Sequence, residues 1–256
     1  MTVTASAGFS GSAHAASPAG QYVAIGDSYA AGVGASPFDP EAGECQQNPN
    51  SYPRIWQRNN PAFELHDMTC SGATVESVRE SQLDTLSSAT KLVTITVGGN
   101  DNHFTETLRT CLLGTDEEDC KYETNYYSYA ARHWQADALE SLYEEVQNKA
   151  PNARVIVVGY PRLIDSGNGS CGLVNPDAAR RSHLNNNADQ LAEGIRSASA
   201  RAGVDFVDVR PAFAGHEACG ADPYIIGADN SRMMFHPNAN GHQAYACRLQ
   251  LETDEH

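Results

Sequence analysis

Five short apolar or β-branched runs punctuate the chain: Tyr22–Ile25, Phe63–Met68, Leu92–Val97, Val155–Gly159 and Phe206–Val209. Turn-forming residues bound each of them, which predicts five strands. The third and fourth runs are almost continuously apolar, the pattern of strands covered on both faces at the centre of a parallel sheet. Between the runs the apolar period changes to three and four residues. Ala131, Trp134, Ala138, Leu142 and Val146 form one stripe and predict a helix over 125–149, with Pro151 just past its end. Leu184, Ala188, Leu191, Ile195 and Ala198 form a second over 177–202, between Pro176 and Gly203. Both stripes are core-packing faces. A third helix is predicted over 239–251, and a polar surface helix and loop over 77–89. Alternation of strand and helix gives an α/β fold with a mainly parallel sheet, whose ligand-binding loops gather at the carboxyl ends of the strands.

Composition narrows the class. At 256 residues and 41% hydrophobic content the chain can bury a full core, and a single domain over 20–256 is expected. Residues 1–19 are Ala/Ser/Gly-rich and contain Ala13-His14-Ala15, the A-x-A pattern that precedes signal-peptidase cleavage; they are expected to be the remnant of an export leader, without order. No apolar run approaches the roughly 20 residues of a transmembrane helix. Formal net charge is −15, with 32 acids against 17 bases. Such a surface repels phosphate backbones, so no nucleic-acid partner is expected; solubility explains the acidity without a cationic one. The acidic stretch Asp116–Asp119 is expected to be a solvated insertion.

Seven cysteines occur and none forms a Cys-x-x-Cys pair, which argues against a zinc ribbon or a thioredoxin-like site. With an export signal they point to an oxidising compartment and structural bridges. Spacing does not fix the pairing. The pairing expected is Cys45–Cys70, Cys111–Cys120 and Cys171–Cys219, each closing a loop, with Cys247 a buried thiol on the last helix.

Chemistry concentrates where strands end. Gly26-Asp27-Ser28 follows the first run directly, so a hydroxyl sits on a tight turn at the start of a helix, where backbone N–H groups can stabilise negative charge. A Ser-Asp pair at such a turn also serves as a plain N-cap. The second strand runs into Ser71-Gly72-Ala73, and Gly72 has no side chain to cover its N–H. The third ends in Gly98-Gly99-Asn100-Asp101, where Asn100 can present its amide into a cleft or simply form an Asn-Asp turn. His236 precedes Pro237, which biases it toward extended backbone in the loop entering the last helix. Of nine histidines it is the best candidate base; His242, inside the helix, serves packing or capping.

Together, Gly26-Asp27-Ser28, Gly72, Gly99-Asn100-Asp101 and His236-Pro237 resemble the four sequence blocks of the SGNH hydrolases, the GDSL esterase/lipase family, in family order. The likeness runs from about Tyr22 to the last helix and is strongest to cysteine-rich secreted actinobacterial members, which include lipases, phospholipases A and small-ester esterases. It implies a flavodoxin-like three-layer α/β/α sandwich with strand order 2-1-3-4-5. It implies Ser28 as nucleophile and His236 as general base. The N–H of Ser28, the N–H of Gly72 and the side chain of Asn100 would form the oxyanion hole. In many members an Asp three residues before the base orients the imidazole; here that position is Met233. A Ser-His dyad is therefore expected, with the main-chain carbonyl of Met233 accepting from the ring and Asp229 the runner-up.

The activity this implies is secreted carboxylic-ester hydrolysis through an acyl-enzyme, with no metal or cofactor and a monomeric protein. Phospholipase A and carbohydrate O-acetyl esterase activity use the same site and stay open. A binding protein with dead chemistry would be expected to have lost Ser28 or His236. Other hydrolases fit less well: Gly26-Asp27-Ser28-Tyr29-Ala30 lacks the last glycine of Gly-x-Ser-x-Gly, and there is no His-Glu-x-x-His helix or Walker phosphate loop. Tyr126, Tyr127, Tyr129 and Trp134 are candidates for an apolar wall beside an acyl chain, with ordinary packing the alternative.

Overall fold

The computed structural model describes residues 20–35, 37, 43–167, 169–228 and 233–255. In chain order the elements are β1 (Gly20–Gly26), α1 (Ser28–Ala31), α2 (Tyr52–Asn59), β2 (Phe63–Asp67), α3 (Val75–Ser81), β3 (Thr90–Thr96) and α4 (Phe104–Leu113). There follow α5 (Glu117–Arg132), α6 (Trp134–Lys149), β4 (Arg154–Val158), α7 (Ala178–Ala202), β5 (Asp205–Val207), α8 (Arg210–Phe213) and α9 (Ala239–Asp254). The strands form one sheet in the order β2-β1-β3-β4-β5, every pair parallel. All five predicted strands exist, with ends shifted by one or two residues. The residues 1–19, including Ala13-His14-Ala15, lie outside the described residues.

Helices cover both faces: α2 packs on α9 on one side, and α3, α6 and α7 pack together on the other. Val23, Ala24, Ile25, Val93, Ile95, Ile156 and Val157 are fully or almost fully buried between them, as doubly covered central strands require. Asp177 caps α7 by accepting from the Arg180 N–H, and Gly203 ends it in a left-handed conformation. Buried Leu184, Ala188, Leu191, Ile195 and Ala198 reproduce the predicted stripe.

The helix predicted over 125–149 is two. His133, with φ −114° and ψ −101°, breaks it between α5 and α6 and resets the phase. The buried stripe of α6 is therefore Gln135, Ala136, Leu139, Leu142, Tyr143 and Val146, while Trp134 is 52% exposed. The acidic stretch faces solvent, as expected, and opens a helix: Asp116 caps α5 through the Glu118 N–H, and Glu117, Glu118 and Asp119 occupy its first turn, where negative charge suits the helix dipole.

The disulfides are Cys45–Cys70, Cys111–Cys120 and Cys171–Cys219, as expected. Cys247 is free but exposed, which corrects the expectation of a buried thiol. On α9 the core face is His242, Tyr245, Ala246 and Leu249, and position 247 falls on the opposite side of that stripe. Thiol titration of the native, unreduced protein is expected to find one group reacting without denaturant. None until unfolding, or seven throughout, would contradict this arrangement.

Candidate active site

Strand β1 delivers the hydroxyl. At its end Gly26 adopts φ +140°, and a Cβ there would stand 2.2 Å from the Thr96 carbonyl oxygen, so only glycine allows β1 and β3 to end this close together. The Gln82 side chain clamps the same residue, accepting from the Gly26 N–H at 2.7 Å and donating to its carbonyl at 3.0 Å. Asp27, not Ser28, is the cap of α1: its Oδ1 accepts from the Tyr29 N–H at 3.0 Å. The capping function is thereby met by the aspartate, and the Ser28 hydroxyl is left for other chemistry.

His236 Nε2 lies 2.8 Å from Ser28 Oγ, across 208 residues of sequence. The ring's other nitrogen, Nδ1, is 2.9 Å from a main-chain carbonyl, that of Met234. The Met233 carbonyl, the partner expected, also acts on the ring as a hydrogen-bond acceptor. The Met233 carbonyl accepts the His236 backbone N–H at 3.2 Å and closes a tight turn, and Phe235 within that turn has φ +58°. The reversal brings the carbonyl two residues before the histidine to Nδ1 as well. Both carbonyls still favour the protonated ring electrostatically. Asp229, the alternative, lies outside the described residues.

Gly72 and Asn100 line the same cavity as Ser28 and His236, a space of about 190 Å³. Gly72 takes φ +82°, with nothing within 4 Å of where a Cβ would be, so no side chain intrudes on the cavity at this position. Asn100 Nδ2 donates to the Ala73 carbonyl at 2.9 Å, which fixes the amide and leaves its second hydrogen for another acceptor. Asp101 supports the same corner by accepting from the Val75 N–H, at 3.1 and 3.2 Å to its two oxygens.

Two charges beside the cavity are shifted. Burial lowers the His236 pKa from its ordinary value, partly offset by the Met234 and Met233 carbonyls. Burial raises the Asp27 carboxyl to about 7, against the opposing effect of hydrogen bonds from the Tyr160 hydroxyl and the Tyr29 N–H. Tyr160 went unnoticed in the sequence. Its hydroxyl donates to Asp27 Oδ2 and accepts from the Gly99 N–H at 3.2 Å, joining the Ser28 turn to the Asn100 turn. The signal available was its position, two residues past β4 at the carboxyl edge of the sheet.

A wider apolar trough of about 540 Å³ adjoins the cavity, sharing Phe104, Thr105 and His236. Leu108, Leu112 and Leu113 of α4 wall it with Leu173 and Val174. Tyr126, Tyr127, Tyr129 and Trp134 line neither space. Tyr126, Tyr129 and Trp134 are about half exposed, and α4 supplies the apolar wall instead. The helix α4 was missed in the sequence, although Leu108 and Leu112 are spaced as one apolar face.

The chain matches the model of the GDSL-like lipase/acylhydrolase family over residues 24–244. It belongs to that family. It is 34% identical over 247 residues to Lipase 1 of Streptomyces coelicolor, covering 94% of this chain and 91% of that relative. Among solved structures it resembles the extracellular lipase of Streptomyces rimosus, with TM-score 0.85 and 34% identity over 91% of this chain and 99% of that one. It also resembles phospholipase A1 of Streptomyces albidoflavus NA297, with TM-score 0.83 and 35% identity over 91% and 98%. The protein is an ester hydrolase of the GDSL type. NMR titration of the His236 ring is expected to give a midpoint below the ordinary 6.5, because burial disfavours the imidazolium. A midpoint at or above 6.5 would mean the ring is better solvated than the structure has it.

Proposed function

We propose that this GDSL hydrolase is a secreted serine esterase, acting through a Ser28–His236 dyad on esters of acyl chains that occupy the trough. The observation that carries this is the 2.8 Å contact between Ser28 Oγ and His236 Nε2, inside a cavity shared with Gly72 and Asn100. A serine hydroxyl is a weak nucleophile and needs a base in hydrogen-bond reach. His236 takes its proton as Oγ attacks the ester carbonyl, then passes that proton to the departing alcohol. The N–H groups of Ser28 and Gly72 and the free hydrogen of Asn100 Nδ2 stabilise the tetrahedral oxyanion. Water activated by the same imidazole then releases the acid. Meanwhile the Met234 carbonyl, accepting from Nδ1–H, keeps Nε2 unprotonated and aimed at Ser28.

The trough bears on substrate. Its leucine walls suit a fatty acyl chain and give an acetyl group little to bind, which favours lipid esters over acetylated sugars. Phospholipids remain substrates of the same geometry, in keeping with the phospholipase A1 neighbour. Three disulfides accord with an oxidising, extracellular setting.

Hydrolysis of p-nitrophenyl esters of increasing chain length, with and without phospholipid, tests the assignment. Activity should rise beyond acetate and vanish in Ser28→Ala; activity surviving in that variant would end the serine mechanism. Asn100→Ala is expected to lose about 10²–10³ in kcat, the usual cost of one oxyanion donor. An unchanged kcat would remove Asn100 from the hole. Asp229→Asn should alter kcat little, whereas a fall near 10⁴, the order seen when a triad aspartate is neutralised, would replace the dyad with a triad.

A further inference from the structure

The large apolar side chains exposed among the described residues are not scattered. Leu113 and Leu173, 65% and 86% exposed, stand on the rim of the trough. Tyr122, Tyr126 and Tyr129 follow one another on α5 at four- and three-residue spacing, 73%, 50% and 58% exposed, and so share a face of that helix. Trp134 opens α6 beside them, its ring 5.5 Å from that of Tyr129 and 6.2 Å from that of Tyr126. The exception, Leu251, belongs to α9.

Topology places this group at the catalytic end. Helix α6 runs back to the start of β4, so its first turn lies at the carboxyl edge of the sheet. There Gln135 donates to the Gly98 carbonyl at 2.6 Å, immediately before the Asn100 turn. Contact with the cavity is continuous: Tyr126 packs edge-on against Tyr127, Tyr127 stacks on His103 at 4.9 Å, and His103 precedes Phe104 of the cavity wall.

Isolated exposed apolar residues need no explanation, but a cluster beside the mouth of a site marks contact with another phase or molecule. Tyrosine and tryptophan pair an apolar ring with a polar edge and favour the headgroup level of a lipid surface. Charge narrows the kind of lipid. The chain carries a formal −15, and Glu106 and Glu123 act on Tyr127 within the patch itself. An anionic surface would be repelled.

We propose that the aromatic face of α5 and the start of α6, with the leucine rim of the trough, seats this hydrolase on neutral or zwitterionic lipid aggregates, so that an ester enters the cavity without crossing water. This rests on the lipid-ester reading of the active site. It identifies the physical form in which that substrate is met.

Binding is measured separately from turnover by using the Ser28→Ala protein and vesicles of phosphatidylcholine or phosphatidylglycerol. Co-flotation with phosphatidylcholine is expected, with tryptophan emission moving to shorter wavelength. Trp134 is the reporter, since Trp56 is buried at 2% exposure. Replacing Tyr126, Tyr129 and Trp134 together by Ser should weaken this partitioning about tenfold or more, as lost interfacial apolar area requires. In the Ser28 background the same triple replacement should lower hydrolysis of emulsified long-chain ester comparably and leave that of soluble p-nitrophenyl acetate unchanged. Tyr122→Ser, at a side chain 73% exposed, should weaken vesicle binding with no effect on folding by circular dichroism. The proposal is overturned if vesicles are not bound, if the triple variant binds them equally, if phosphatidylglycerol is preferred, or if a soluble acetylated xylan shifts the emission and vesicles do not. Loss of all ester hydrolysis by the wild-type protein would instead defeat the active-site reading and leave vesicle binding to be judged by itself.

Discussion

The contact between Ser28 and His236 depends on one small turn. Phe235 is a bulky residue held at φ +58°, a conformation that costs about 1–3 kcal/mol and persists only where its surroundings over-determine it. They do so here. Its side chain is fully buried, which returns about 1.5–3 kcal/mol of hydrophobic free energy. Its N–H donates to the Ile226 carbonyl at 2.9 Å, and the Ile226 N–H donates to the His236 carbonyl at 2.9 Å. The Tyr29 hydroxyl donates to the Phe235 carbonyl. Tyr29 is the neighbour of Ser28, so the residue that follows the hydroxyl also holds the turn that presents the imidazole. Displacing this turn would misplace both partners at once, and a shift of an ångström between reacting groups is costly.

The rest of the site follows from where a parallel sheet stops. Past the last paired residue, backbone N–H and C=O groups lose their ladder partners and must be satisfied some other way, at a cost of about 1–3 kcal/mol for each group buried without one. Side chains take over here. Gln82 bonds both groups of Gly26, Gln135 bonds the Gly98 carbonyl, and Tyr160 receives the Gly99 N–H while bonding Asp27. These substitutes are buried and have fixed geometry. The groups that satisfy the frayed ends of β1 and β3 are consequently the ones that set the turns bearing Ser28 and Asn100 in place.

This explains what was legible in the sequence. The strands were, because each is a dense apolar run whose burial is imposed by sheet pairing. The residues of the four blocks were too, because their types and order resemble those of the GDSL family, three at strand ends and His236 at the entry to α9. What escaped depended on contacts distant in sequence. Tyr160 lies 133 residues from Asp27, and Tyr29 lies 206 from Phe235. The break at His133 escaped because neither glycine nor proline marks it. The second carbonyl at the ring, that of Met234, escaped because a left-handed phenylalanine has no sequence signature. Trp134 was placed in the core by a period that the break interrupts, and α4, which walls the trough, was not expected.

The disulfides fall where the sheet offers least support. Cys70 lies three residues past β2, Cys111 and Cys120 lie in the segment after β3, and Cys171 lies in the loop after β4. These segments border the cavity and the trough, and Cys111, Cys120 and Cys171 are themselves buried in the core. Each bridge restricts the unfolded chain, typically stabilising by about 2–4 kcal/mol. Each also adjoins a functional wall. The Cys45 carbonyl accepts the Ser71 N–H at 3.0 Å, next to Gly72, while Cys111 belongs to α4 of the trough and Cys171 stands two residues from Leu173 on its rim. Behind the last of these, fully buried Arg181 donates to the carbonyls of Pro176, Asp165 and Gly169, ordering the β4 loop with a charge fully engaged in hydrogen bonds. An acidic chain with a sheet of only five strands can thus keep an open, apolar entrance to Ser28. The walls of that entrance are held by covalent and polar ties, and their apolar side chains need not be consumed in packing.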